Sequence, residues 1–146
     1  MGGRGAKLNV NNYLGWSHDR RIGEYDAIHV DGNIKFLMQK DGGRTAAPIF
    51  SNTEGRIYVT IRPDGTIAGI TQYDSNHKQL FSINEPHAGD KIQDVHMHSS
   101  LESGRQITHW DEMPQKYKDL YNTVKRQYKE FNIKNKVEEY NKKHGR

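Results

Sequence analysis

Three histidines fall within twelve residues. Pro86-His87-Ala88-Gly89 leads, four residues later, into Asp94-Val95-His96-Met97-His98. Imidazole is the side chain best suited to exchanging protons between pH 5 and 8, and it is also the commonest metal ligand. In an extended segment side chains alternate between faces, so Asp94, His96 and His98 share one side while Val95 and Met97 point to the other. Two chemistries follow. In the first, one imidazole takes the proton from a ribose 2′-hydroxyl and another protonates the departing 5′-oxygen, with no metal or other cofactor. A cation then steadies the charge that builds on the phosphorus oxygens. Arg56 and Arg62 supply that cation, with Lys91 a further candidate, and Tyr58 and Thr60 donate hydrogen bonds to phosphate.

In the second, His87, His96 and His98 are three ligands of a zinc ion whose fourth position stays open to water. Asp90 or Asp94 then orients a ligand from behind. The bland alternative is polar decoration, with His87 capping a turn. His18, His29, His77, His109 and His144 stand apart and read as loop or surface residues. Other chemistries find no support. The 146 residues contain no cysteine, which excludes disulfides, thiolate metal sites and thiol nucleophiles. There is no Gly-x-Ser-x-Gly elbow, no phosphate loop after Gly2-Gly3-Arg4-Gly5, and no pair of carboxylates spaced for glycoside hydrolysis.

The elements that must carry these residues read as an α+β fold. Ile34–Gln39 places Ile34, Phe36 and Met38 on one face. Arg56–Arg62 alternates strictly, with Ile57, Val59 and Ile61 opposite Arg56, Tyr58, Thr60 and Arg62. Pro63-Asp64-Gly65 signals a hairpin into Ile67–Tyr73. Lys78–Ile83 and Asp94–His98 complete an antiparallel meander of four to five strands. Leu101–His109 reads as loop. Asp111 and Pro114 suit a helix start. Met113, Tyr117, Leu120, Tyr121, Val124, Tyr128 and Phe131 then recur at helical spacing, giving a helix over about 112–130 that packs on the sheet. Residues 1–33 read as an irregular arm or linker, 34–131 as the α+β catalytic-type domain, and 132–146 as a basic tail or helix extension.

The formal net charge is +4. Residues 113–146 hold 10 Lys/Arg against 4 Asp/Glu, whereas residues 1–112 hold 12 against 14. Such an asymmetry fits an anionic partner, nucleic acid first, with Lys125 and Arg126 gripping phosphates irrespective of sequence. The equally open alternative is a solvated helix face. No run of 18 apolar residues predicts a membrane span, and the glycine-rich start lacks the apolar stretch of a signal peptide.

Several stretches resemble a domain at the C-terminal end of some phage minor head proteins, and toxin-like tips of secreted bacterial proteins. They are Gly32-Asn-Ile-Lys-Phe36, Thr45-Ala-Ala-Pro48, Ser51-Asn-Thr53, Gly55-Arg-Ile-Tyr-Val-Thr-Ile61 and Gln72-Tyr-Asp-Ser-Asn-His-Lys78. In that family the strands lead into a Pro-His-x-Gly loop and a His-x-His segment, here Pro86–Gly89 and His96–His98. The likeness covers roughly residues 30–130. One departure is that the family carries proline before its His-x-His pair, where this chain has Asp94-Val95. By fold analogy such tips are similar to barnase-like and colicin-like ribonucleases. The resemblance implies a toxin-like endoribonuclease, an RNA substrate, an immunity protein as a possible partner, and fusion to a larger phage or secreted protein. It would act in a bacterial cytoplasm or belong to a phage particle. The rival implication is a non-catalytic accessory or binding domain of such a protein.

Overall fold

The computed structural model describes residues 25–40, 45–48, 51, 53–101 and 104–146, with the side chains of 100–105 excepted. The Gly-rich start, with His18 in it, lies outside the described residues. The fold is α+β. A seven-stranded sheet of β1 (Tyr25–Asp31), β2 (Ile34–Gln39), β3 (Ile57–Ile61), β4 (Ile67–Tyr73), β5 (Gln79–Asn84), β6 (His96–Leu101) and β7 (Gly104–His109) is followed by α1 (Gln115–Glu130) and α2 (Ile133–Lys143). The strands lie side by side in chain order.

Two expectations need correction. The sheet has seven strands, not four to five, because residues 25–31 and 104–109 are strands rather than arm and loop. A register shift between Ala27 and His29 breaks the two-residue period of β1. β7 is an edge strand whose Ile107 is exposed, so it lacks a buried apolar face. Nor is the sheet a pure antiparallel meander, since β2 and β3 run parallel. A parallel pair needs a crossover rather than a hairpin, and residues 40–56 provide it.

The helix face of the sheet carries the row Phe36, Val59, Ile70, Ile83 and Met97, each residue opposite the next on the neighbouring strand. α1 contributes Val124, and α2 contributes Ile133, Val137 and Tyr140, to the same buried core. α1 starts at Gln115, behind Pro114, without a side-chain cap. Asp111 sits instead in a short 3-10 turn, Trp110–Glu112. α2 is a separate helix, because Asn132 takes the left-handed conformation (φ 53°) that asparagine tolerates, and so ends the first one.

The second face carries Lys35, Tyr58, Thr71, Ser82, His98 and Ile107 in one cross-strand row. Over β1–β4 and the start of β5 this face is covered by described residues of the crossover. Tyr25, Leu37, Tyr58 and Tyr73 form a small second core there. The Tyr25 hydroxyl donates to the Ala46 carbonyl at 2.7 Å, and the Tyr73 hydroxyl to the Pro48 carbonyl at 2.6 Å. Gln79 Nε2 donates to the same Pro48 carbonyl at 2.9 Å. The crossover is thus held by side-chain bonds reaching up from the sheet. Tyr73→Phe removes one of them from a buried site and should lower stability by about 1 kcal/mol, with a shifted urea midpoint and an unchanged slope.

Candidate functional site

Where the crossover stops, the second face opens into a cavity of ≈ 950 Å³. Its floor is Ser82, Asn84, His96 and His98 from β5 and β6, and Thr45–Ala47 of the crossover form one wall. The opposite wall comes from Arg62 and Asp64 at the β3–β4 turn, and from His87, Asp90 and Lys91 in the loop after β5. The three histidines of the cluster therefore line one cavity.

Each ring is held differently. His96 is buried, and its Nδ1 lies 2.9 Å from the Asp94 carbonyl oxygen. A carbonyl only accepts, so Nδ1 carries the proton and, in the neutral ring, Nε2 carries the lone pair. His98 meets His96 edge to face, with ring centroids 4.9 Å apart. His87 sits on a turn closed by the Asp90 amide donating to the His87 carbonyl at 3.0 Å. The His87 amide donates to Asp90 Oδ2 at 2.7 Å. Gly89 takes φ 91°, a conformation that disfavours any residue with a Cβ. The imidazole Nε2 reaches Asp64 Oδ2 at 3.2 Å.

Asp64 is a functional candidate that sequence reasoning assigned only to a turn. Its Oδ1 accepts from the Thr66 amide at 2.9 Å and the Thr66 hydroxyl at 2.6 Å, which leaves Oδ2 aimed at His87. Burial pushes its carboxyl up, but the Thr66 bonds, with His87 and Arg62, outweigh it and hold Asp64 below the usual carboxylate range. The signal available in the sequence was Asp64-Gly-Thr66, an Asx-turn pattern. The cross-turn partner was not legible.

The other expected residues divide. Arg62 lines the cavity, its Nη1 bonded to Thr66 Oγ1 at 3.0 Å and to the Ile67 and Glu85 carbonyls. Lys91 lines it too, exposed and without an ion-pair partner among the described residues. Arg56 does not line it, and donates to the Gly32 carbonyl at 3.3 Å. Tyr58 and Thr60 were expected on an exposed face but are fully buried in the sheet. Tyr58 accepts from Ser51 Oγ at 3.2 Å beneath the crossover, so neither hydroxyl can reach phosphate there. Lys125 and Arg126 sit on α1, across the sheet from the cavity floor. Lys125 is bonded to Glu85 at 2.9 Å and Arg126 is 3.6 Å from Glu130.

Among the described residues no three His, Asp or Glu side chains gather closely enough to hold a metal ion. The expected orienting acids act otherwise. Asp90 caps its own turn. Asp94 turns its carboxylate to His109 Nδ1 at 3.0 Å and to the Trp110 amide at 3.2 Å. The His109 hydrogen bond is the main cause of its lowered pKa. Two histidines read as loop or surface residues lie on strands. His109 ends β7, and His29 on β1 stacks on Phe131 with centroids 4.4 Å apart. His77 lies in a turn, and His144 follows α2 and stacks on Tyr140.

Glu85 joins the cavity wall to the helices. Its Oε1 accepts from the Ile67 amide at 2.9 Å, and its Oε2 from the Tyr121 hydroxyl at 2.6 Å and Lys125 Nζ at 2.9 Å. Burial pushes the Glu85 carboxyl up, yet these bonds hold it below the usual range, while Tyr121 is forced up by burial and by Glu85 itself.

Comparison of the chain with protein families, with characterised proteins and with solved structures finds no match. Among the described residues no helix is long and apolar enough to cross a membrane.

Because the folded state lowers the Glu85 pKa, its contribution to stability is complete above the ordinary carboxylate pKa and is lost as pH falls through the depressed value. Glu85→Ala should therefore cost about 1–3 kcal/mol at pH 7. Urea unfolding at about pH 3 should show a markedly smaller gap between variant and parent.

Proposed function

We propose that the chain is a metal-independent endoribonuclease of the toxin-like kind, using histidine acid–base chemistry. One observation carries the reading. His87, His96 and His98 share a cavity with Arg62 and Lys91, and the two outer rings are held by complementary partners. The carbonyl on His96 Nδ1 leaves Nε2 as a base. The Asp64 carboxylate only accepts, so His87 Nε2 facing it carries a proton and the ring is oriented to serve as the acid.

In the proposed reaction His96 Nε2 removes the proton of a ribose 2′-hydroxyl, and the 2′-oxygen attacks the adjacent phosphorus. The bond to the 5′-oxygen breaks, and that oxygen takes a proton from His87. The products are a 2′,3′-cyclic phosphate and a 5′-hydroxyl. His98 stands beside His96 and contacts the phosphoryl oxygens, while Arg62 and Lys91 balance their charge. Of the acids on the walls, Glu85 is paired with Lys125, Asp64 faces His87, and Asp90 accepts from the His87 amide. The resemblance to phage minor head proteins and toxin tips supports the same class, with an immunity protein and a larger fused protein as its context.

Labelled RNA incubated with the purified chain should be cut with and without chelator, and a single 2′-deoxy substitution at the cut should block it. His87→Ala and His96→Ala should each lower the rate by ~10²–10⁴-fold, with circular dichroism unchanged. Asp64→Asn should weaken cleavage less, because it keeps the side chain's size while removing the charged acceptor that orients His87. Cleavage lost to chelator and restored by zinc would replace this reading with a histidine-ligated metal site. No cleavage of RNA would leave a binding module.

A further inference from the structure

A second concavity, of ≈ 340 Å³, opens beside the 3-10 turn and is lined by Asp94, Val95, Trp110, Asp111 and Tyr121. Trp110 and Tyr121 meet edge to face at 5.4 Å. Lys118 Nζ lies 5.4 Å from the centre of the Trp110 ring. Lys118, Tyr121 and Lys125 stand three and four residues apart on α1, so they share one stripe of that helix. Aromatic rings flanked by lysines are the usual means of holding an unpaired nucleotide, the ring stacking on the base and the cation meeting its phosphate.

Two connections tie this groove to the histidine cavity. Tyr121, in the groove, donates to Glu85, on the cavity wall. Asp94 turns its side chain to the groove, while its carbonyl holds His96. The two carboxylates of the groove are unequal. Asp94 is bonded to His109 and to the Trp110 amide, whereas Asp111 is exposed and has no bonding partner among the described residues. An ionised carboxylate only accepts, so it selects a base with neighbouring N–H donors. Among RNA bases, guanine presents such a pair on its Watson–Crick edge.

We propose, resting on the ribonuclease reading above, that this groove is a second nucleotide subsite. It holds a base flanking the cleaved phosphate, Trp110 stacks on it, and Asp111 favours guanine. The chain has two tryptophans, so in Trp16→Phe the emission reports Trp110 alone. Guanosine 5′-monophosphate should quench that emission saturably and cytidine 5′-monophosphate much more weakly. Asp111→Asn should remove the difference. In the otherwise intact chain, Trp110→Leu should cut a dinucleotide at the parent rate, yet lose roughly tenfold of the advantage in kcat/KM that a tetranucleotide has over it.

Emission that neither nucleotide changes, with the tetranucleotide advantage intact in folded Trp110→Leu, overturns the subsite and leaves the ribonuclease reading standing. Equal quenching by both nucleotides overturns the guanine assignment. Selective quenching in a chain that cuts no RNA has the opposite meaning, sinking the ribonuclease reading and keeping the subsite.

Discussion

The parallel pairing of β2 with β3 governs the rest of the architecture. Two neighbouring parallel strands cannot be joined by a tight turn, so the chain between β2 and β3 must cross over. Its described residues 45–48 lie on the second face, where Tyr25 holds the Ala46 carbonyl and Tyr73 and Gln79 hold that of Pro48. The described part of that path covers β1–β4, reaches Gln79 at the start of β5, and leaves the rest of β5 and β6 open. The covered half becomes a small tyrosine core and the uncovered half becomes the cavity. One connection thus decides which polar residues of the second face are structural and which are accessible.

The same face shows how a residue's role depends on position rather than type. Tyr58 and Ser82 belong to one cross-strand row with Thr71 between them. Tyr58 lies beneath the crossover, and burial pushes its phenol pKa up. Ser82 lies at the cavity floor. Gly69 permits this packing. A Cβ there would stand 2.6 Å from Ser82 Oγ, so a side chain would displace the floor.

Electrostatics follows from the bonding of the acids. The cavity walls carry Asp64, Asp90 and Glu85 as well as Arg62 and Lys91, which by count gives no strong bias. Asp64 and Glu85 are held ionised below their usual range by protein donors, and Asp90 closes its own turn. Lys91 has no such obligation. A site of nearly balanced charge therefore presents a cation and imidazoles to an incoming anion. Glu85 adds a mechanical link, tying the loop that bears His87 to α1 through Tyr121 and Lys125.

Much of this protein was legible in its sequence. The strict alternation of residues 56–62, the Pro63-Asp64-Gly65 turn and the helical spacing from Met113 to Phe131 located β3, β4 and α1, because each depends on periodicity along a continuous segment. The shared face of His96 and His98 followed from the same rule. β1 escaped because a bulge disturbs its period, and β7 because an edge strand has no need of a buried apolar face. The burial of Tyr58 and Thr60, the Asp64–His87 pair and the placing of the basic helix across the sheet from the cavity floor were beyond the sequence. Local alternation says only which side chains share a face. What covers that face, and which distant carboxylate meets which imidazole, is decided by the path of the crossover and by contacts between segments far apart in the chain.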